Sequence, residues 1–418
     1  MVPPSPPRPA ARPPGVRGGS LVPVLALASG VAVAGNYYLQ PLLALIGRDL
    51  GVGIGAMGVV SALALLGYAV GLLLVVPLGD VVDRRPLVTG VLSLTSVSLA
   101  VMAVAPSVPV LAVGALGVGL TSVVAQVLVP YAVGQADETA RGRVAGTMMS
   151  GILLGILLAR VVGGLLGGAV GWRLVYAGAA GLTTAMLLLL LRRLPAEQAR
   201  HRRNGRPDVP YREVLAGVVR LARAQQGLRV RAAYGFFGFA VFSAVWTTLA
   251  FHLHDAYDLG PTAVAAVAGL GLAGVLVAPR AGAVADRGHV HAVTGVSYAV
   301  LLLSTGLLAL GATSLPLLLV GLVVMDLAIQ SGHVASLGVV YRLAPEARSR
   351  ATTVHMTTVF VGGAVGSVLG ATAYGAVGWT GVAATGALFA TGALALFLRR
   401  LSVGAPDLLD EPYPEAVA

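Results

Sequence analysis

Apolar runs of roughly 20 residues or more recur along almost the whole chain, and they constrain it more than any motif does. Inside a bilayer every backbone N–H and C=O has to be satisfied within its own segment, so runs of this length fold as spanning helices. Twelve can be marked off: Leu21–Ile46, Ala56–Leu78, Leu87–Ala105, Val108–Val133, Val144–Gly168, Trp172–Leu194, Val230–His254, Pro261–Ala281, His291–Thr313, Leu315–Leu343, Ala351–Ala373 and Trp379–Leu398. Of the 418 residues, 57% are apolar and only 11% charged, against about 25% charged in a soluble domain. The sequence predicts an all-α integral membrane protein with 12 transmembrane helices.

The loops set the orientation. All 28 basic residues are Arg. With both termini cytoplasmic, 25 of them fall on the inner side, two (Arg48 and Arg173) on the outer side, and one, Arg160, inside a span. Such a split is the positive-inside pattern, and an odd number of spans would destroy it. The net charge of +11 therefore has a membrane explanation and requires no nucleic acid. The chain divides into a Pro- and Arg-rich cytoplasmic tail (1–20), six spans (21–194), a basic central loop (195–229), six more spans (230–398) and a second cytoplasmic tail (399–418). Within the loop, Tyr211–Arg223 reads as a short amphipathic helix for the anionic inner leaflet.

The two halves repeat one another. Gly79-Asp80-Val81-Val82-Asp83-Arg84 and Gly282-Ala283-Val284-Ala285-Asp286-Arg287 are charged knots between apolar runs, each with Gly, three residues, then Asp-Arg near the knot's end. At a constant offset of 207, Arg141 matches Arg348, Met149 matches Met356, Gly155 matches Gly362, Gly163 matches Gly370, and Gly171-Trp172 matches Gly378-Trp379. One register held over some thirty residues implies parallel six-helix repeats about an axis along the membrane normal.

With its twelve spans, central loop and paired Gly-x-x-x-Asp-Arg knots, the chain from Leu21 to Leu398 resembles the major facilitator superfamily of secondary transporters. Asn36-Tyr37-Tyr38-Leu39-Gln40-Pro41 and Pro77-Leu78-Gly79-Asp80 resemble bacterial drug and metabolite efflux members of the proton-antiporter type. In span 5, Ala159-Arg160 stand where those antiporters carry Gly-Pro. The resemblance implies alternating access, a cavity lined by spans 1, 4, 7 and 10, a small-molecule substrate, protons as partners, and a monomer in the bacterial inner (plasma) membrane. It implies efflux; uptake by a proton symporter on the same fold is the alternative, and a membrane-embedded enzyme or sensor is a more distant one. No ATP-binding loop, metal-ligand cluster or cysteine points to a cofactor, and a proton gradient as the energy source is what the resemblance implies. The chain reads as a transporter and not an enzyme.

The chemistry-bearing residues follow. Asp326 is the carboxylate deepest in a span, and Asp326, Gln330 and His333 share one helical face at i, i+4 and i+7. A carboxylate and an imidazole on one face form a candidate proton-coupling pair. Arg160 lies about 24 Å along span 5; a charge at that depth costs about 2.5–3.5 kcal/mol and has to face the protein interior or snorkel. It fits a structural Arg as well as an anion-binding one. Asn36, Tyr37, Gln40, Gln126, Phe237, Trp246 and Gln330 are the candidate cavity residues, the aromatic ones suited to an apolar or planar substrate. Gly79, Asp83, Arg84, Gly282, Asp286 and Arg287 are the candidate gate, the charges pairing at helix ends and the Gly allowing close helix approach. His355, near the inner end of span 11, reads as solvated or structural.

Overall fold

The computed structural model describes residues 21–194, 210–344 and 347–403, whose regular elements are all helical. The expected tail 1–20, the loop segment 195–209 and residues 404–418 lie outside the described residues. The first half contains α1 (Leu21–Tyr37), α2 (Leu39–Asp49), α3 (Ile54–Val81), α4 (Arg84–Ala103), α5 (Val108–Thr121), α6 (Val124–Gly134), α7 (Arg141–Val170) and α8 (Trp172–Arg193). After the linker helix α9 (Tyr211–Ala224) come α10 (Gln226–Tyr257), α11 (Pro261–Gly269), α12 (Leu272–Val284), α13 (Val290–Leu310), α14 (Leu315–Leu343), α15 (Arg348–Val377) and α16 (Trp379–Ser402).

Eleven helical segments among the described residues are long and apolar enough to cross a membrane. The expected eighth span, Pro261–Ala281, is split into α11 and α12, each short by itself, and α12 continues through the turn at 285–289 into α13.

Three of the expected spans are broken, each for a local reason. Between α1 and α2, Pro41 has no N–H for the Tyr37 carbonyl and its ring crowds that carbonyl, so the helix bends at Tyr38. Between α5 and α6, the Thr121 hydroxyl donates to Gly117 O and the Ser122 hydroxyl to Val118 O, both at 2.8 Å. Such back-bonding competes with the helical ladder and bends it. Between α11 and α12, at Leu270–Gly271, the backbone N–H groups reach back only three residues, to Val267 O at 3.0 Å and Ala268 O at 3.2 Å. Gly269 and Gly271 lower the helical propensity there.

The repeat is visible in matched contacts. Gly155 of α7 packs on the backbone of Gly30 in α1, and Gly362 of α15 packs likewise on the backbone of Phe236 in α10. Gly171 and Gly378 both adopt positive φ, 86° and 71°, and each ends a thirty-residue helix before a Trp begins the next. A Cβ on Gly79 would stand 3.2 Å from Val127 Cγ1, and one on Gly282 would stand 3.3 Å from Val334 Cγ1. Val127 and Val334 are themselves 207 residues apart.

The knots differ in how they turn. The first uses extended backbone at Val82 and Asp83, with ψ of 149° and 134°; the second uses Gly288 at φ 90°. The Arg84 guanidinium lies 5.2 Å from the Tyr131 ring centroid. Asp286 pairs with Arg342 at 3.9 Å in an exposed position. The linker helix corrects a sequence expectation. Its apolar face, Val214, Gly217, Val218 and Leu221, is buried against α3 and α15 instead of lying on a lipid leaflet. Tyr211 anchors it by donating to Leu74 O at 2.6 Å. One helix thereby touches both halves of the molecule.

Candidate functional site

Arg160 projects from α7 into the meeting point of several helices and is only 7% exposed. Its guanidinium carbon lies 4.5 Å from the Trp246 ring centroid, 5.2 Å from that of Tyr37 and 5.4 Å from that of Phe242. The bend after α1 presents Tyr37, while Phe242 and Trp246 lie one turn apart on α10. Asp326, on α14, is 8% exposed and is the carboxylate that acts electrostatically on Arg160. The two do not form an ion pair within 4.0 Å. Both border Gly271: a Cβ at that position would lie 3.3 Å from Asp326 Oδ2 and 3.8 Å from Arg160 Nη1. The charged groups are therefore within about 7 Å of each other, on either side of the break between α11 and α12.

Neither charge is fully satisfied. Arg160 Nε, Asp326 Oδ1 and Trp246 Nε1 are buried without hydrogen-bond partners. The Trp246 indole lies toward Asp326 but closes no bond of ordinary geometry with it. At an effective dielectric of about 20, unit charges separated by more than 4.0 Å and at most about 7 Å attract by about 2–4 kcal/mol. That does not offset the insertion cost of both charges, about 2.5–3.5 kcal/mol each. Three rings support the guanidinium, each such contact contributing up to about 2 kcal/mol when desolvated. Asp326 has no comparable support, so the carboxylate is where a proton or a cationic group gains most.

Other candidates extend this cluster. Tyr68 of α3 lies beside Tyr37 and Gln126 of α6, and its ring stacks on Phe360 of α15 at 4.0 Å. Asn36 and Gln40 are buried, each with a side-chain oxygen lacking a partner. Gln330 sits half-buried one turn beyond Asp326.

His333 and Phe237 are placed elsewhere. The His333 ring lies 5.7 Å from that of His355, and His355 is wholly buried with both ring nitrogens unpartnered; the solvated reading of His355 is therefore corrected. Arg231 is nearby, 1% exposed, donating to Thr294 Oγ1 at 2.9 Å. The sequence had counted Arg231 among the basic residues of the linker side, because it follows a run of Arg that belongs there. Phe237 packs against Phe389 and Gly392 of α16. It lines a separate cavity of about 860 Å³ beside α9, bounded by Leu73, Val218, Arg223, Arg229 and Thr357. Sequence reasoning also missed Tyr68 and Gly271; the Gly269-Leu270-Gly271 stretch carried a helix-break signal that the apolar count concealed.

Helices of the two halves pack on each other beside the cluster and on its side away from the linker. Thr247 Oγ1 of α10 lies 3.2 Å from Ser61 Oγ of α3 and 2.9 Å from Ser367 Oγ of α15, and Ser367 donates to Gly58 O at 3.2 Å. Gly164 of α7 packs on Pro261 and Ala265 of α11. Toward the linker end, α12 turns to α14 instead of continuing along α7.

Residues 25–292 match the family model described as Major Facilitator Superfamily. The chain is 40% identical over 372 residues to the Escherichia coli (strain K12) protein called putative uncharacterized transporter YgaY, covering 89% of this chain and 93% of that one. It is 36% identical over 376 residues to the probable transporter SCO4007 of Streptomyces coelicolor, covering 89% and 85% of the two chains. Among solved structures, a bacterial homologue of the human lysosomal transporter Spinster, inward-facing and occupied, superposes with a TM-score of 0.72 at 14% identity over 95% of this chain and 98% of that one. The nucleoside transporter NupG superposes with a TM-score of 0.72 at 13% identity over 92% and 99%. At these identities the likeness to the solved structures is one of fold.

Proposed function

The chain belongs to the major facilitator superfamily, and from that premise we propose that it exports a small organic compound in exchange for protons. It works by alternating access through twelve spans with both termini cytoplasmic. The observation that carries the reading is the buried, unpaired couple of Arg160 and Asp326 where helices of both halves meet at broken segments. Broken helices are where such transporters place their substrates and coupling ions.

In this reading Asp326 is neutralised alternately by a proton and by the substrate. Rocking of the two halves exposes the couple to one side and then the other. A carboxylate left bare while occluded costs several kcal/mol, which couples the two occupancies. His333, two turns along α14 and facing His355, is the second proton-handling group. The knots at Asp83–Arg84 and Asp286–Arg287 bias the gate at the linker end, through Tyr131 and Arg342 respectively.

The test is made in inverted membrane vesicles acidified by an imposed gradient, with luminal pH followed by a dye while a compound panel is added. Compound-dependent loss of the proton gradient that disappears in Asp326→Asn supports exchange. Transport without any proton movement overturns the coupling, and compound and proton moving in the same direction replaces export with symport.

A further inference from the structure

The two buried charges constrain the ligand as well as the mechanism. We propose that the site takes zwitterions of the α-amino-acid type with an apolar or aromatic side chain, an inference that rests on the transport reading of the same site.

Arg160 and Asp326 are each more than nine-tenths buried, each keeps an unpartnered polar atom, and they lie within about 7 Å of each other without touching. A purely cationic ligand would satisfy Asp326 and leave the site with the Arg160 charge exposed to it at close range. A purely anionic ligand would do the reverse. Burying an uncompensated charge is strongly unfavourable. A ligand with one group of each sign satisfies both and adds no net charge.

The gap sets the spacing. Charge-assisted hydrogen bonds to carboxylates and guanidinium groups are about 2.8 Å long, and the ammonium and carboxylate of an α-amino acid lie about 3 Å apart by standard bond lengths. A bent chain of these three distances closes to a separation of about 7 Å or less, the bound that the two groups' approach to Gly271 sets. Ligands whose charges are separated by several further bonds overreach it. Gly271 matters here because any side chain at that position would come within 3.3 Å of Asp326 Oδ2 and occupy the gap. Trp246, Phe242 and Tyr37 then form the apolar wall beside the charges, suited to the ligand's side chain.

The experiment measures binding to the purified full-length protein of L-phenylalanine, L-tryptophan and L-leucine against two blocked forms, N-acetyl-L-phenylalanine and L-phenylalanine methyl ester. Saturable binding of the free amino acids, with at least about tenfold higher affinity for L-phenylalanine than for either blocked form, is the expected result. Equal or tighter binding of a blocked form, or no saturable binding of the three amino acids, overturns the proposal. In Arg160→Gln, L-phenylalanine should lose its advantage over the methyl ester; in Asp326→Asn, its advantage over the N-acetyl form. Reading ratios within one variant separates recognition from misfolding, since an unfolded protein loses all three ligands together, and the wild-type ratios decide the matter alone if a variant does not fold. The chain has no Cys, so labelling of a single Ala44→Cys, at a buried position of α2 packed on the second half, as pH is stepped follows alternating access without ligand. PH-dependent labelling together with failed amino-acid binding overturns the substrate class and spares the transport reading; loss of both overturns both.

Discussion

The guanidinium of Arg160 stands 4.5 Å from the centre of the Trp246 ring, a contact between α7 of the first half and α10 of the second. It crosses the boundary that has to open if the halves rock apart. Replacing Trp246 by Leu removes the π-face and leaves Arg160 with two rings, those of Tyr37 and Phe242. The contact contributes up to about 2 kcal/mol when desolvated. The expected outcome is lower thermal stability and lower transport for Trp246→Leu, with Trp246→Phe retaining more of both. Thermal unfolding of the purified variants checks it; equal stability for Leu and Phe would remove the cation–π contribution.

Asp326→Asn keeps the shape of the side chain and removes its charge. The bilayer-inserted fold should persist, because the lost attraction to Arg160, about 2–4 kcal/mol, is comparable to the insertion cost of about 2.5–3.5 kcal/mol that the neutral side chain no longer carries. Proton-coupled flux should fall to background while substrate exchange down its own gradient persists. Comparing counterflow with proton-driven transport in proteoliposomes separates the two; retained proton-driven flux removes Asp326 from the coupling role.

Helix contact in both halves rests on glycine. Gly366 of α15 lies directly on the Ala240 backbone of α10, as Gly155 lies on Gly30. A side chain at either position has backbone in its way, and backbone does not yield as the end of a flexible side chain does. Gly366→Val is expected to cost about 1–3 kcal/mol from overpacking and to lower the yield of monodisperse protein. Gly146→Val, at a position with open space, is the control, measured by size-exclusion profile and unfolding temperature.

Much of this architecture was legible in the sequence. The apolar runs came within one of the eleven membrane-length segments among the described residues, and the offset of 207 paired positions, such as Gly155 and Gly362, that make matching helix contacts. The site was legible only in part. Asp326 and Arg160 stood out because a charge within an apolar run is conspicuous, yet nothing in their spacing, 166 residues apart, said that they meet. Tyr68 and Gly271 were invisible for the opposite reason, being ordinary residues in membrane helices until a neighbour gives them a role. Arg231 and the linker helix misled because composition places a charge or an apolar face at an interface and cannot say whether water, lipid or protein lies on the other side.

The repeat also shows one register position put to two uses. Arg160 and Ser367 are 207 residues apart and occupy matching positions in α7 and α15. Arg160 serves the candidate binding site, whereas Ser367 joins a hydroxyl chain with Thr247 and Ser61 that ties α3 of the first half to α10 and α15 of the second. Thr247→Val retains shape and removes the shared hydroxyl, breaking both of its bonds. At about 0.5–1.5 kcal/mol for each of the two hydrogen bonds, the closed arrangement should lose about 5- to 160-fold of its advantage over the open one. Labelling of a single Cys at Ala44, buried between α2 and the second half, should accelerate in Thr247→Val and remain unchanged in Thr248→Val, whose hydroxyl bonds only within its own helix, to Ala244 O. Equal labelling of the two variants would show that the seal is made by apolar packing around Gly58 and Ala371 and not by the hydroxyl chain.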